Sequence, residues 1–476
     1  MSRLVAALAL LVFAFPATAS PFSKQDRMIR MSDGVKIAAT YYVPDGAPPA
    51  GGWPAVMLLH GLGGSRTDAR TPLGMSLNGV AETQLAPQGY AVLTFDARGH
   101  GQSEGLVSID GPREIEDVRE LFNWLAAQPG VNRQRIGAFG YSYGGGAIWR
   151  ATAEGVPFAA IEPAISWTDL YSALLPQNLA HSGVVLGFWQ SIQAHAAPGL
   201  DAIVDDAITG QNLAAVHAFA DQRSVRKLLG SIRVPTFLLQ SRRDFAFDTD
   251  QALTAYARLK APKRLYLADF GHPPAPNPPG EAAHVLTEAR RWFDRYLKGL
   301  PNGIDRQPRV EVAPDPWTGR TFHYRTLPAR TTLRLAFPGR TEIGSTGKTA
   351  RTRPRLRART ETFGAPVLRV SLASPNGWPH VVAVLSALTP QGKEIVVSAG
   401  GARVRLGSRP KQVRIRLISQ VTAIPKGSRL RLTIAGTSTA QSPGNLLYLT
   451  GVPRSSRLVV GPARLSLQLM AKPISR

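Results

Sequence analysis

Ile136-Gly137-Ala138-Phe139-Gly140-Tyr141-Ser142-Tyr143-Gly144-Gly145-Gly146 is the stretch that decides the fold. Four apolar or small residues, as in a buried strand, run straight into a serine flanked by glycines. A helical pattern begins near Ala147. A serine between a strand and a helix sits on a tight, strained turn, and glycines around it let neighbouring backbone approach. The helix that follows offers unpaired N–H groups and a positive dipole end beside the hydroxyl. Ser142 is therefore read as a nucleophile.

Working outward, short apolar runs at Ala55–Leu59, Tyr90–Phe95, Thr236–Gln240 and Arg264–Leu267 read as buried parallel strands. Glu114–Gln128 and Ala282–Leu297 have helical spacing. Met28–Val43 alternates around Asp33-Gly34 and reads as a β-hairpin. Strands alternating with helices predict an α/β fold with a mostly parallel sheet covered on both faces. Ser166–Val225 breaks the alternation with a helical pattern, read as a cap of about residues 166–225 inserted over the sheet.

A serine needs a base, and the base an orienting acid; in this architecture the chain order is Ser, then Asp or Glu, then His. His272 stands in a short glycine loop after the last strand, and Asp244 just past Thr236–Gln240. Asp248 and Asp250 are rivals for the acid, with helix N-capping as their simpler explanation. The oxyanion of a tetrahedral intermediate needs two N–H donors. Tyr143 supplies one and Leu62, in the loop His60–Gly64, the other. His60 reads as the residue holding that loop. Asp96 and Arg98, after another strand, read as a pair bracing the neighbouring loops.

These residues resemble the α/β-hydrolase superfamily. More narrowly, Ser103-Glu104-Gly105, Gln128-Pro129, Ser142–Gly145 and Trp149 resemble the X-Pro dipeptidyl-peptidase and cocaine-esterase-like group. The resemblance implies a C-terminal β-sandwich of jelly-roll type and hydrolysis of ester or peptide bonds. It departs at His60–Gly64, where the group often places a tyrosine in the oxyanion hole. It departs again in offering no recognisable carboxylate pair for a substrate amine. Both departures favour ester or amide hydrolysis more broadly. No cofactor and no metal is required by this chemistry.

The ends of the chain carry different signals. Arg3, the apolar run Leu4–Phe15 and Ala17-Thr18-Ala19 form the pattern of a signal peptide over residues 1–19, predicting a secreted protein, extracellular or periplasmic. There is no cysteine, which excludes disulfides, thiolate zinc sites and a cysteine nucleophile. Of the net charge of +24, residues 1–300 carry +1 and residues 301–476 carry +23. Composition thus places a boundary between a hydrolase domain, 20–303, and a basic domain, 304–476. Short alternating runs after Gly303 predict an antiparallel β-sandwich there.

Arg351, Arg353, Arg355, Arg357 and Arg359 alternate and, if extended, form one stripe. Such a surface suits an anionic polymer, wall or lipid surface, with nucleic acid the poorest fit for an exported chain; compositional bias on solvated faces is the plainer explanation. The expected substrate is a small acyl ester or peptide. Two other readings remain open at this stage: a catalytically inactive binding protein of the same fold, and acyl transfer by the same triad.

Overall fold

The computed structural model describes residues 21–273, 275–438 and 447–471; the signal-peptide segment 1–19 lies outside them. Its centre is a ten-stranded sheet in the order β1-β2-β4-β3-β5-β6-β7-β8-β9-β10. The strands are β1 Phe22–Arg30, β2 Lys36–Pro44, β3 Trp53–Leu59, β4 Ala91–Phe95, β5 Val131–Tyr141, β6 Ala160–Ala164, β7 Thr236–Ser241, β8 Lys263–Ala268, β9 Val310–Val312 and β10 Phe322–Tyr324. From β4 across to β9 every pairing is parallel. The first hairpin and β10 add antiparallel edges.

The pleat explains the continuous apolar runs. Ala55, Met57 and Leu59 of β3 face the helix Pro112–Ala126, while Val56 and Leu58 face the helix Pro279–Leu297. Both faces of the sheet are covered, so alternate residues need not be polar. Order reverses at β3, with β4 on one side and β5 on the other. Such a switch point opens a crevice at the carboxyl ends of the strands, and the loop after β3 and the Ser142 turn after β5 both lie there.

The cap is helical: Leu170–Leu174, Ser182–Ile192, Leu200–Thr209 and Leu213–Gln222. The last part of the chain forms a five-stranded and a four-stranded antiparallel sheet. Leu368, Val370 and Leu465 of one meet Leu385, Leu432 and Ile434 of the other in a shared apolar core.

Three expectations change. β6 lies between the elbow helix and the cap and was absent from the sequence reading. The composition boundary at 303 is not the structural one: β9 and β10 belong to the ten-stranded sheet, and the sandwich starts with the strand Arg330–Phe337. The arginine stripe also breaks. Its strand, Lys348–Arg355, shifts register between Thr352 and Arg355 and ends there, and Arg351 turns in to donate to the carbonyls of Phe337, Val460 and Gly461.

Candidate active site

Ser142 follows β5 directly, with φ 55° and ψ −119°, a conformation that L-residues adopt only when their surroundings impose it. The glycines around it show how. A Cβ on Gly140 would lie 2.6 Å from the Gly144 carbonyl oxygen; one on Gly144 would overlap the Leu59 carbonyl of β3; one on Gly145 would lie 2.7 Å from the Ser166 Cβ. The turn is thus pressed on three sides by backbone or by short side chains. The Gly144 N–H donates to the His60 carbonyl at 2.9 Å, tying the elbow to the loop after β3.

His272 Nε2 lies 2.9 Å from Ser142 Oγ, and His272 Nδ1 lies 2.7 Å from Asp244 Oδ2. The structure therefore brings together one residue from each of three strand ends, β5, β7 and β8. Asp244 is fully buried; its Oδ1 accepts the N–H groups of Ala246 at 2.8 Å and Phe247 at 2.9 Å. Gly271 lets the base approach: its φ is 148° and a Cβ would meet Ser241 Cβ at 2.6 Å. The rings of Phe247 and Phe188 flank the imidazole, with centroids at 5.4 and 6.3 Å.

The rival acids point elsewhere. Asp248 occupies the N-cap of Thr249–Arg258, yet its carboxylate accepts the Ser419 N–H at 2.8 Å, and Asp250 pairs with Arg416. Three other histidines lie apart: His284 bonds Glu311, His380 bonds the carbonyls of Gly436 and Thr450, and His181 packs on Tyr448.

Leu62 and Tyr143 line the same pocket as Ser142. Tyr143 is the first residue of its helix, where an N–H has no intrahelical acceptor. His60 is buried, accepts the Ala97 N–H at Nε2 (2.9 Å) and lies 2.7 Å from its own loop's Gly61 carbonyl through Nδ1. Burial holds its pKa down to about 4. It is thus neutral and links the β3 and β4 loops. Asp96 and Arg98 do not pair with each other. Asp96 binds Arg66 by side chain and by its N–H at 2.7 Å. Arg98 forks onto Asp117, with both contacts at 2.7 Å, and reaches Asp33. The two side chains leave their shared loop in different directions.

Two features escaped the sequence reading. Behind Tyr143, Asp110 and Glu114 line a small buried cavity, and burial raises both carboxyls above their usual range, Asp110 far above it. From the sandwich, Gln420 Nε2 donates to the Asp244 carbonyl at 2.8 Å, Val421 N–H donates to the Arg242 carbonyl at 2.9 Å, and Ser419 bonds Asp248 and Thr249. The C-terminal domain thereby clamps the acid loop. No local motif marks this contact, since its partners stand 176 positions apart.

The chain is similar to known proteins in sequence and in fold. The pattern of the X-Pro dipeptidyl-peptidase (S15) family matches residues 33–273. A putative Xaa-Pro dipeptidyl-peptidase of Streptomyces avermitilis is 26 % identical over 311 residues, 59 % of this chain and 44 % of that one. The chain spans less than half the length of the first curated relatives it matches. Among solved structures, a CocE/NonD family hydrolase from Staphylococcus aureus superposes with a TM-score of 0.72 at 16 % identity, covering 94 % of each chain. An α-amino acid ester hydrolase does so at 0.69 and 15 % identity, over 98 % of this chain and all of the other. These likenesses establish the shared fold, a hydrolase domain followed by a β-rich domain.

Proposed function

The chain belongs to the X-Pro dipeptidyl-peptidase (S15) family, and on that premise we propose that it is an exported serine hydrolase that opens an ester or amide bond through an acyl-enzyme. The observation that carries this reading is the unbroken chain Asp244–His272–Ser142 at 2.7 and 2.9 Å. Ser142 Oγ attacks the substrate carbonyl while His272 Nε2 takes its proton. The carbonyl oxygen becomes an oxyanion held by the N–H groups of Leu62 and Tyr143, the latter at a helix N-terminus that favours negative charge. The tetrahedral intermediate collapses, His272 returns the proton to the leaving alcohol or amine, and the acyl group stays on Ser142. Water, deprotonated by His272, then attacks the acyl-enzyme and releases the acid.

Asp244 keeps the Nδ1 proton of His272 in place and stabilises the imidazolium formed in each half-reaction. Export rests on the pattern of residues 1–19. The test is steady-state hydrolysis of p-nitrophenyl acetate by wild type and Ser142→Ala. The account expects a fall of at least about 10⁴-fold in kcat; a variant retaining a tenth of the activity refutes it.

A further inference from the structure

Beside Ser142 a pocket opens and runs up under the cap. Its walls are carbon. Leu174, Val185, Trp189, Leu200, Ile203 and Phe219 are among the residues lining it, and none of the described lining residues is Asp, Glu, Lys, Arg or His. Two of the polar atoms on these residues are occupied: Tyr171 Oη donates to Asn178 Oδ1 at 2.9 Å, and Trp167 Nε1 donates to the Arg223 carbonyl at 2.8 Å. No lysine or arginine occurs between Arg150 and Arg223. Of the cap's acids, Asp201, Asp205 and Asp221 are exposed, and half-buried Asp169 and Asp206 do not line the pocket, Asp169 pairing with Arg226; the buried acids Asp110 and Glu114 line a different cavity, behind Tyr143.

We propose that this pocket is the acyl-binding site and that it takes an uncharged, medium-chain aliphatic or arylalkyl acyl group, not a peptide with a free N-terminus. The proposal rests on the serine-hydrolase reading above and names its substrate class. A dipeptidyl substrate carries an ammonium group two residues before the bond to be cut. In this pocket that cation would lose its water with no carboxylate to replace it, which is prohibitive for a charge. An alkyl chain gains from the same walls. Each methylene buried is worth about fourfold in binding, and the gain appears in kcat/KM as long as the pocket has room.

The experiment is a panel of p-nitrophenyl esters from acetate to decanoate, below their micellar concentrations, together with Ala-Pro-p-nitroanilide. The expected result is a kcat/KM that rises at least about 100-fold from acetate to an optimum between hexanoate and decanoate, with the anilide at least 1000-fold below that optimum. Val204→Trp, on the half-buried cap wall of the pocket, is expected to shift the optimum shorter by two or more carbons. An anilide that outpaces every ester, or a profile that is flat or falls from acetate, overturns the proposal. Labelling by a small fluorophosphonate separates the two levels. A labelled Ser142 with a flat profile removes the substrate class alone, whereas an unlabelled Ser142 removes the serine-hydrolase reading with it.

Discussion

Asp244→Asn removes one charge and changes almost no volume, and the structure dictates what it does. Asp244 Oδ1 faces two N–H donors, those of Ala246 and Phe247 at 2.8 and 2.9 Å. The amide oxygen of asparagine must take that place, because an NH₂ group there would face donors. The NH₂ then occupies the Oδ2 position, 2.7 Å from His272 Nδ1 and 3.3 Å from the His272 N–H. It can donate to Nδ1 only if the imidazole proton moves to Nε2, the atom 2.9 Å from Ser142 Oγ. An Nε2 that already carries a proton cannot accept the serine's. The wrong tautomer costs about 10⁴ in kcat, roughly 5 kcal/mol of barrier. The facing donors at the His272 N–H cost the fold about 1–3 kcal/mol. Steady-state kinetics on p-nitrophenyl butyrate, with thermal denaturation alongside, measures both. A kcat within tenfold of wild type, from a protein of unchanged melting temperature, would refute the assigned roles of Asp244 and His272.

Other perturbations read different parts of the site. Gly144→Ala puts a methyl onto the Leu59 carbonyl, so the elbow must shift; a stability loss of about 1–3 kcal/mol and a fall in turnover are expected, and a fully active variant counts against the packed-elbow account. Gln420→Ala removes the sandwich's bond to the Asp244 carbonyl; kcat is expected to drop about tenfold, on the order of one lost hydrogen bond, at unchanged KM, and a change confined to KM contradicts the clamp. Glu162 is fully buried on β6, and burial pushes its carboxyl far above the usual range. Its raised folded pKa gives a contribution to stability that is present in full below the unfolded value and is lost as pH rises, by roughly 1 kcal/mol per unit up to the folded value. Glu162→Gln does not titrate, so melting curves at about pH 5 and about pH 7.5 should show the variant gaining on wild type at the higher pH; a gap independent of pH would show that Glu162 is ionised in the fold.

Local signals made the heart of the site legible. The Ser142 turn is written in consecutive residues, with Gly140 answering to the Gly144 carbonyl and Gly144 to the neighbouring strand β3. Asp244 and His272 could be picked because each follows a strand end. What escaped depended on distant partners. Ala160-Ile161-Glu162-Pro163-Ala164 contains a glutamate and a proline, both poor strand residues, and becomes β6 because β5 and β7 bracket it. β9 and β10 are three residues each, too short to show alternation, and they lie beyond the charge step near residue 300. Asp96 and Arg98 looked like partners because they are neighbours in one loop, but Arg66 and Asp117 meet them from other elements. The Gln420 contact depends on how one domain docks on another, which no window of sequence reports.

The central claim is that Ser142 is the nucleophile of this fold. Incubation of the purified protein with a fluorophosphonate, followed by peptide mapping in a mass spectrometer, tests it most directly. The account predicts a single phosphonyl adduct on the peptide containing Gly140–Gly146, at Ser142, and none in Ser142→Ala. An adduct on another serine, or an equal yield of adduct in the variant, would contradict it.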